Sequence, residues 1–219
     1  MKLMIERKPK MAALFLILAL AFLSAPSFAQ SKGTGPSLEQ VSAALAKNKV
    51  TRGLFVLERT AANGKSLKSS GEFAIASDYG IIWKTIKPIK STQVVAKEFS
   101  LTESAGGKRV KMDADKNPVY KQMALFTSSL WKGDLAAAQY VADIKFRSDE
   151  NSWQIEMFPK DQAVQMALEK IVVEGKSKDG QAWATKMQML LKGGNAACYN
   201  MSGHSFAASL SETEQAYFD

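Results

Sequence analysis

Between Leu67 and Phe99 the chain reads LKSSGEFAIASDYGIIWKTIKPIKSTQVVAKEF, and its apolar and polar positions tend to alternate. Leu67, Phe73 and Ile75 share one parity, while Lys68, Ser70 and Glu72 share the other. Successive side chains of a strand point to opposite faces, so the pattern predicts an apolar face backed by a wet one. Asp78-Tyr79-Gly80 supplies a turn, with glycine free to take a positive φ. Ile81 to Ile86 is the next strand, and Pro88 stops it because proline has no N–H for a ladder. Ser91 to Phe99 returns with Val94 and Val95 at its centre, which completes an antiparallel meander.

The alternation extends in both directions. Val50 to Thr60 is a strand whose consecutive apolar residues, Leu54 to Leu57, leave its inward face open, and Asn63-Gly64 marks the hairpin after it. Downstream, Leu101 to Glu103 and Lys108 to Met112 flank a turn at Ser104 to Gly107. Asp143 to Ser148 precedes a run in which Trp153, Ile155 and Met157 alternate cleanly, followed by Ile171 to Val173. Gln181 to Leu191 places Trp183, Met187, Met189 and Leu191 on one side, and a last strand centres on Ala197 to Met201.

Helical spacing interrupts the strands. Ser37-x-x-Gln40 is a capping box opening an amphipathic helix to about Lys47, with Leu38, Val41 and Leu45 on one face. Asn117-Pro118 opens a central helix with the stripe Val119, Met123, Phe126 and Leu130, joined by Trp131 and ended by Gly133. Asp134 caps its partner, DLAAAQYVAD. A short helix at Gln162 to Leu168 and a terminal turn opened by Ser211-x-x-Glu214 complete the set. The expected inventory is about ten or eleven antiparallel strands, an amino-terminal helix and a central helical pair.

Composition changes this picture at its start. Of the 219 residues, Lys2, Arg7, Lys8 and Lys10 form a basic beginning, Met11 to Leu23 is apolar, and Ser27-Phe28-Ala29 reads as a cleavage site. The thirteen residues of that apolar run fall short of the ~20 that cross a bilayer as a helix. Residues 1–29 are therefore expected to be a cleaved signal peptide, and residues 30–219 a single exported domain beginning at Gln30. The net charge is +8, with Lys108-Arg109 and Lys111 the densest cluster. A basic stripe interleaved with exposed aromatics is missing, so no nucleic-acid partner is expected; the charge fits solubility and weak attraction to anionic surfaces.

Candidate chemistry is sparse. Cys198 is the sole cysteine, so no intrachain disulfide forms and burial must hold the fold. His204 is the sole histidine and is expected in an exposed loop; with one cysteine it excludes a His- or Cys-rich zinc site. Gly203-His204-Ser205 lacks the G-x-S-x-G elbow, and Gly106-Gly107-Lys108 lacks the spacing of a phosphate loop. No catalytic residue, metal or cofactor is expected, and a lipid-acting enzyme would have to use Ser205 or Ser211. The distinctive feature is large, soft apolar side chains on several strands: Trp83, Trp153 and Trp183, with Phe73, Ile155, Met157, Met187 and Met189. Such residues build an ordinary core or an acyl-chain cavity, where each buried methylene contributes ~0.8 kcal/mol. Periodicity does not choose between them.

A resemblance does. Ser70-Gly71-x-Phe73, then Gly80-Ile81-x-Trp83-x-Thr85 and Pro88, is similar to the outer-membrane lipoprotein carrier proteins, the LolA family. Gly53, Phe55, Leu57 and Arg59 follow that family's first-strand pattern without its usual glutamine; Leu130-x-Lys132-Gly133-Asp134-Leu135 and the spacing from Trp153 to Pro159 also agree. The resemblance implies a mainly β (α+β) fold, a half-open antiparallel β-barrel of about 10–11 strands with an amino-terminal helix and a central helical lid. It implies a monomeric, non-catalytic periplasmic carrier that takes lipoprotein or other lipid cargo from an inner-membrane exporter to an outer-membrane acceptor, with transient membrane contact. Acyl chains would lie against Phe55, Phe73, Ile75, Trp83, Trp153 and Ile155. Met157, Trp183, Met187 and Met189 would extend that lining, under a lid carrying Met123, Phe126 and Leu130. One departure points to a divergent paralogue: Ser77-Asp78 stands where the best-known members carry an Arg-Pro pair whose arginine ties lid to barrel. The alternative is a non-catalytic envelope scaffold whose half-barrel is filled by its own side chains.

Overall fold

The computed structural model describes residues 35–219; the expected signal peptide lies outside them. Eleven strands form one antiparallel sheet, curved but unclosed. The first meander comprises β1 (Val50–Thr60), β2 (Ser66–Ala76), β3 (Gly80–Lys87), β4 (Ser91–Ala96), β5 (Phe99–Ser104) and β6 (Arg109–Asp113). The second comprises β7 (Ala142–Ser148), β8 (Ser152–Pro159), β9 (Leu168–Lys178), β10 (Gln181–Leu191) and β11 (Ala196–Ala207). The order β6-β5-β4-β3-β2-β1-β11-β10-β9-β8-β7 joins the two meanders along β1 and β11 and leaves β6 and β7 as edges. The mainly β half-barrel with helices at its start and centre is thus the observed architecture.

The helices form where their caps say they should. α1 (Leu38–Ala46) opens on the complete Ser37/Gln40 capping box. α2 (Pro118–Lys132) is capped by Asn117, whose side chain accepts from the Tyr120 N–H, and Pro118 occupies the first turn. It ends at Gly133, which takes φ 73° and brings α2 against α1; a Cβ there would lie 3.0 Å from that of Ala46. Asp134 then caps α3 (Leu135–Val141). Two single turns, α4 (Gln162–Gln165) and α5 (Glu212–Gln215), complete the set. The main core lies between the concave face of the sheet and α1, α2 and α3, where Val41, Leu45, Phe126, Leu130, Ala138 and Val141 meet the inward strand residues.

Several expectations are corrected. The strand foreseen from Ser91 to Phe99 divides at Lys97-Glu98, and Phe99 begins β5. Leu67 shares parity with Phe73 but lies 77% exposed near the tip of β2, past the reach of the core. The outer face of the meander is not wet throughout: Ala74, Ile82, Val94 and Leu101 form a second buried cluster, covered by Phe99, Tyr217 and Phe218. The adjacent pairs Ile81-Ile82 and Val94-Val95 signal this, since strands covered on both faces lose their alternation.

The carboxy-terminal turn that covers this cluster is fastened by Arg52. Its Nε and Nη2 donate to Glu214 Oε1 and Oε2 at 2.8 and 2.5 Å, and Nη2 also reaches the Ser209 carbonyl at 3.1 Å. The Arg52 guanidinium holds the Glu214 carboxyl down from 4.5 to about 2. A folded-state pKa below the unfolded one contributes stability above pH 4.5, lost as pH falls toward 2. Solvent screens this partly exposed pair, so the contribution is about 1 kcal/mol. Acidification from pH 5 to 2 should therefore release Tyr217 and Phe218, seen as tyrosine fluorescence and tail NMR shifts. Glu214→Gln should show the released tail already at neutral pH; an unchanged acid profile in that variant would show the pair to be unimportant.

Candidate functional site

Strand register decides what faces the concavity. From β1, Phe55, Leu57 and Arg59 share a parity; Leu57 pairs with Tyr199 and Phe55 with Met201 of β11. Phe73 pairs with Trp83, and Trp83 with Gln93. In the other meander Met187 lies beside Val173, Val173 beside Ile155, and Met157 beside Ile171. The aromatic members meet at the centre: Phe55 stands edge-on to Trp83 with centroids 5.2 Å apart, and Trp83 lies 4.2 Å from Tyr199.

Of the residues singled out from sequence, Phe55, Phe73, Ile75, Trp83, Phe126 and Leu130 are buried in this concave core. So are Trp153, Ile155, Met157 and Met187, while Met123 and Met189 pack partly buried against it. Trp183 is the exception. A bulge between Ala184 and Lys186 inserts one residue, so Ala182 and Ala184 fall in phase with Met187 and enter the core. Trp183 is left half-buried on the other parity, at a crevice shared with Leu45, Trp131 and His204. Trp153 is seated by Gly175: its ring crosses that residue so closely that a Cβ would lie 2.0 Å from Cζ2, and its Nε1 donates to the Lys176 carbonyl at 3.1 Å.

The helices are held over the sheet by polar contacts at their ends. Ser77, which the resemblance puts in the arginine's place, is buried, and its backbone N–H donates to the Lys49 carbonyl at 3.0 Å. Tyr120 fastens the start of α2 instead: its hydroxyl lies 2.9 Å from the Ala96 carbonyl and 2.5 Å from that of Phe99. Burial pushes its pKa well above the ordinary phenol value, which keeps the hydroxyl a donor. Gln122 Nε2 donates to the Val141 carbonyl at 3.0 Å, and Asn48 Nδ2 ties the end of α1 to Ala182 at 2.8 Å. The cover is imperfect. Ser42 Oγ on α1, and Gln122 Oε1 and Trp131 Nε1 on α2, are buried with no hydrogen-bond partner among the described residues.

Beneath α2 little space remains: a crevice of about 10 Å³ between Phe126, Met157, Leu168 and Ile171. Beyond the helices the concave face opens into a cleft of about 380 Å³. Phe55, Leu57, Trp83 and Tyr199 are its floor; Ser69, Thr85, Ser91, Gln93 and Thr102 are its polar walls; Pro88 and Ile89 form a lip. Arg59 also lines it. Sequence reasoning missed Leu57, Arg59, Tyr120 and Tyr199. Leu57 and Arg59 were within reach through the parity of Phe55, whereas Tyr199 joins the floor only once β1 is paired with β11.

Chemistry elsewhere is quiet. His204 is a strand residue of β11, not part of an exposed loop: the longer strand carries it in, and its Nε2 lies 2.7 Å from the Ala184 carbonyl. Burial lowers its pKa. Ser205 lies opposite Arg52 in the β1 ladder, and Ser211 is engaged in the α5 capping box. Neither serine is hydrogen-bonded to His204 among the described residues. No group of three or more His, Cys, Asp or Glu residues there is placed to hold a metal.

No family model matches the chain, and no curated protein matches it. Solved structures show a distant similarity to LolA-superfamily proteins at low identity. A DUF1329 family protein from Desulfovibrio piger is 13% identical with a TM-score of 0.47, over 83% of this chain and 94% of that one. A LolA superfamily protein from Nitrosomonas europaea is 10% identical with a TM-score of 0.41, over 80% and 94%. The MucA/MucB complex structure of Pseudomonas aeruginosa gives 16% identity and a TM-score of 0.44, over 81% of this chain and 58% of that one.

Proposed function

We propose that this chain is a periplasmic carrier that binds the acyl chains of a lipoprotein or another lipid on its concave face. It would move them between an inner-membrane donor and an outer-membrane acceptor. The observation that carries this reading is the solvent-open cleft whose floor is the same aromatic cluster, Phe55, Trp83 and Tyr199, that the helices cover further along. A volume of about 380 Å³ falls within the ~300–1,000 Å³ of ligand pockets. It admits the start of an acyl chain, and displacement of α2 makes room for the rest. Exchange is feasible because the cargo replaces apolar contacts with apolar contacts. No covalent step is involved; the direction of transfer follows from which membrane partner binds the cargo more favourably.

A second reading, the self-filled scaffold, is favoured by the crevice of only about 10 Å³ under α2. The two separate on one measurement. Titrating the exported protein with a dansyl-labelled fatty acid should give a saturable, blue-shifted emission that unlabelled oleate displaces. Absence of any such signal at micromolar protein, with no lipid seen by native mass spectrometry of periplasmic material, would leave the scaffold standing.

A further inference from the structure

The cleft contains one charged residue, and it is a cation without a counter-ion. Arg59 lines it on the inward parity of β1, is exposed, and makes no ion pair among the described residues. The neighbouring acid, Glu58, points to the opposite face and is paired with Lys68. No Asp or Glu lines the cleft. Tyr199, directly below, is buried, and that burial raises its pKa against the opposing pull of Arg59, whose guanidinium is within hydrogen-bonding reach of its hydroxyl, so the floor carries no compensating negative charge. The polar groups around it are Ser69, Thr85, Ser91, Gln93 and Thr102, neutral side chains able to donate hydrogen bonds.

The surroundings carry the same sign. Register puts four hairpin tips at this end of the sheet, at residues 61–65, 88–90, 105–108 and 192–195. Each has a lysine and none has an acid: Lys65, Lys90, Lys108 and Lys192, with Lys87 beside the second; the longer β8–β9 connection at this end carries Lys160 and Asp161 but does not line the cleft. The turns at the other end are mixed, with Asp78, Glu98, Asp149, Glu150 and Asp179 among their lysines. A cleft with an apolar floor, neutral donors on its walls and one unpaired guanidinium under a rim of lysines suits one ligand chemistry. We infer that the cleft takes an amphiphile with an anionic head, carboxylate or phosphate, held by Arg59 while its acyl tail lies on Phe55, Trp83 and Tyr199.

The inference rests on the carrier reading and adds head-group selection to it. Guanidinium binds carboxylate and phosphate oxygens in a two-pronged geometry, and such charge-assisted bonds exceed neutral ones about twofold in strength. The lysine tips add long-range attraction, so capture should weaken with salt.

The test compares oleate, lyso-phosphatidylglycerol and monoolein as displacers of the dansyl probe. It uses the wild-type exported protein, Arg59→Gln and Arg59→Lys. Both anionic amphiphiles should bind the wild type about tenfold more tightly than monoolein. Arg59→Gln should erase that preference, weakening both anionic amphiphiles about tenfold relative to monoolein at an unchanged melting temperature, and Arg59→Lys, which keeps the charge but not the two-pronged geometry, should restore only part of it. The ranking of oleate against the lyso-phospholipid tells whether the head is a fatty-acid carboxylate or a lipid phosphate. Equal binding of monoolein and oleate, or an equal loss of both in Arg59→Gln, overturns head-group selection while leaving the carrier intact. Failure of every amphiphile to displace or bind overturns both.

Discussion

Replacing Phe126 with alanine should cost about 3 kcal/mol of the free energy that closes α2 on the sheet, and should speed entry of an acyl probe. Phe126 is 3% exposed and sits between Met157, Leu168 and Ile171, at the narrow crevice where helix and sheet meet. Truncation removes the ring's transfer free energy and leaves a cavity that the β8–β9 ladder is too rigid to fill. The sheet keeps its hydrogen bonds, and Tyr120 and Asn48 still hold α1 and α2 at their ends, so the fold should survive in a loosened form. Melting temperature would fall, and probe uptake would rise in rate and extent. A variant that is destabilised but takes up no probe makes Phe126 plain core and removes the basis for the carrier reading.

The second large effect is expected at Gly175. Gly175→Val would place a branched side chain where a Cβ already lies 2.0 Å from Trp153 Cζ2 and 2.4 Å from the Trp183 carbonyl oxygen. Overpacking of this kind costs about 1–3 kcal/mol where neighbours can move. Here one neighbour is backbone, so the upper end applies. Trp153 should leave its seat and lose its bond to the Lys176 carbonyl, with a red-shifted tryptophan emission and a lower melting temperature. An unshifted spectrum with unchanged stability would show that the indole does not cross β9 at this point. Gly175→Ala should reproduce the effect in weaker form.

Local signals in the sequence account for much of the architecture. Ser37/Gln40, Asn117-Pro118, Gly133-Asp134 and Ser211/Glu214 each mark a helix boundary with a specific backbone hydrogen bond, and those bonds form. Trp153, Ile155 and Met157 alternate without interruption, and all three are buried. Where the reading failed, the cause was non-local. Nothing in Gln181 to Leu191 announces the bulge that turns Trp183 out of phase, because bulges are settled by the partner strand. Ala74 and Ile82 are buried because the chain's last residues return over them, a contact no window of neighbouring residues contains. The same limit hid half of the cleft. Its floor combines residues of β1, β3 and β11, and its cation belongs to a strand whose inward face the run Leu54 to Leu57 left undecided.

The strand order also bears on how the chain comes together in time. β1 to β6 pair with sequence neighbours, and so do β7 to β11, so each half-sheet can form from short-range contacts alone. The halves join only through β1 and β11, which stand near opposite ends of the described chain. Until β11 arrives, β1 offers an open edge in the middle of the future sheet, with Leu54 and Val56 exposed on its outer side even in the finished molecule. As the chain is synthesised from its amino terminus, that edge is bare until nearly the whole described chain has been made. Assembly then resembles dimerisation of two half-sheets on a single tether, and the interval before it is when the chain most needs protection from pairing with its own copies.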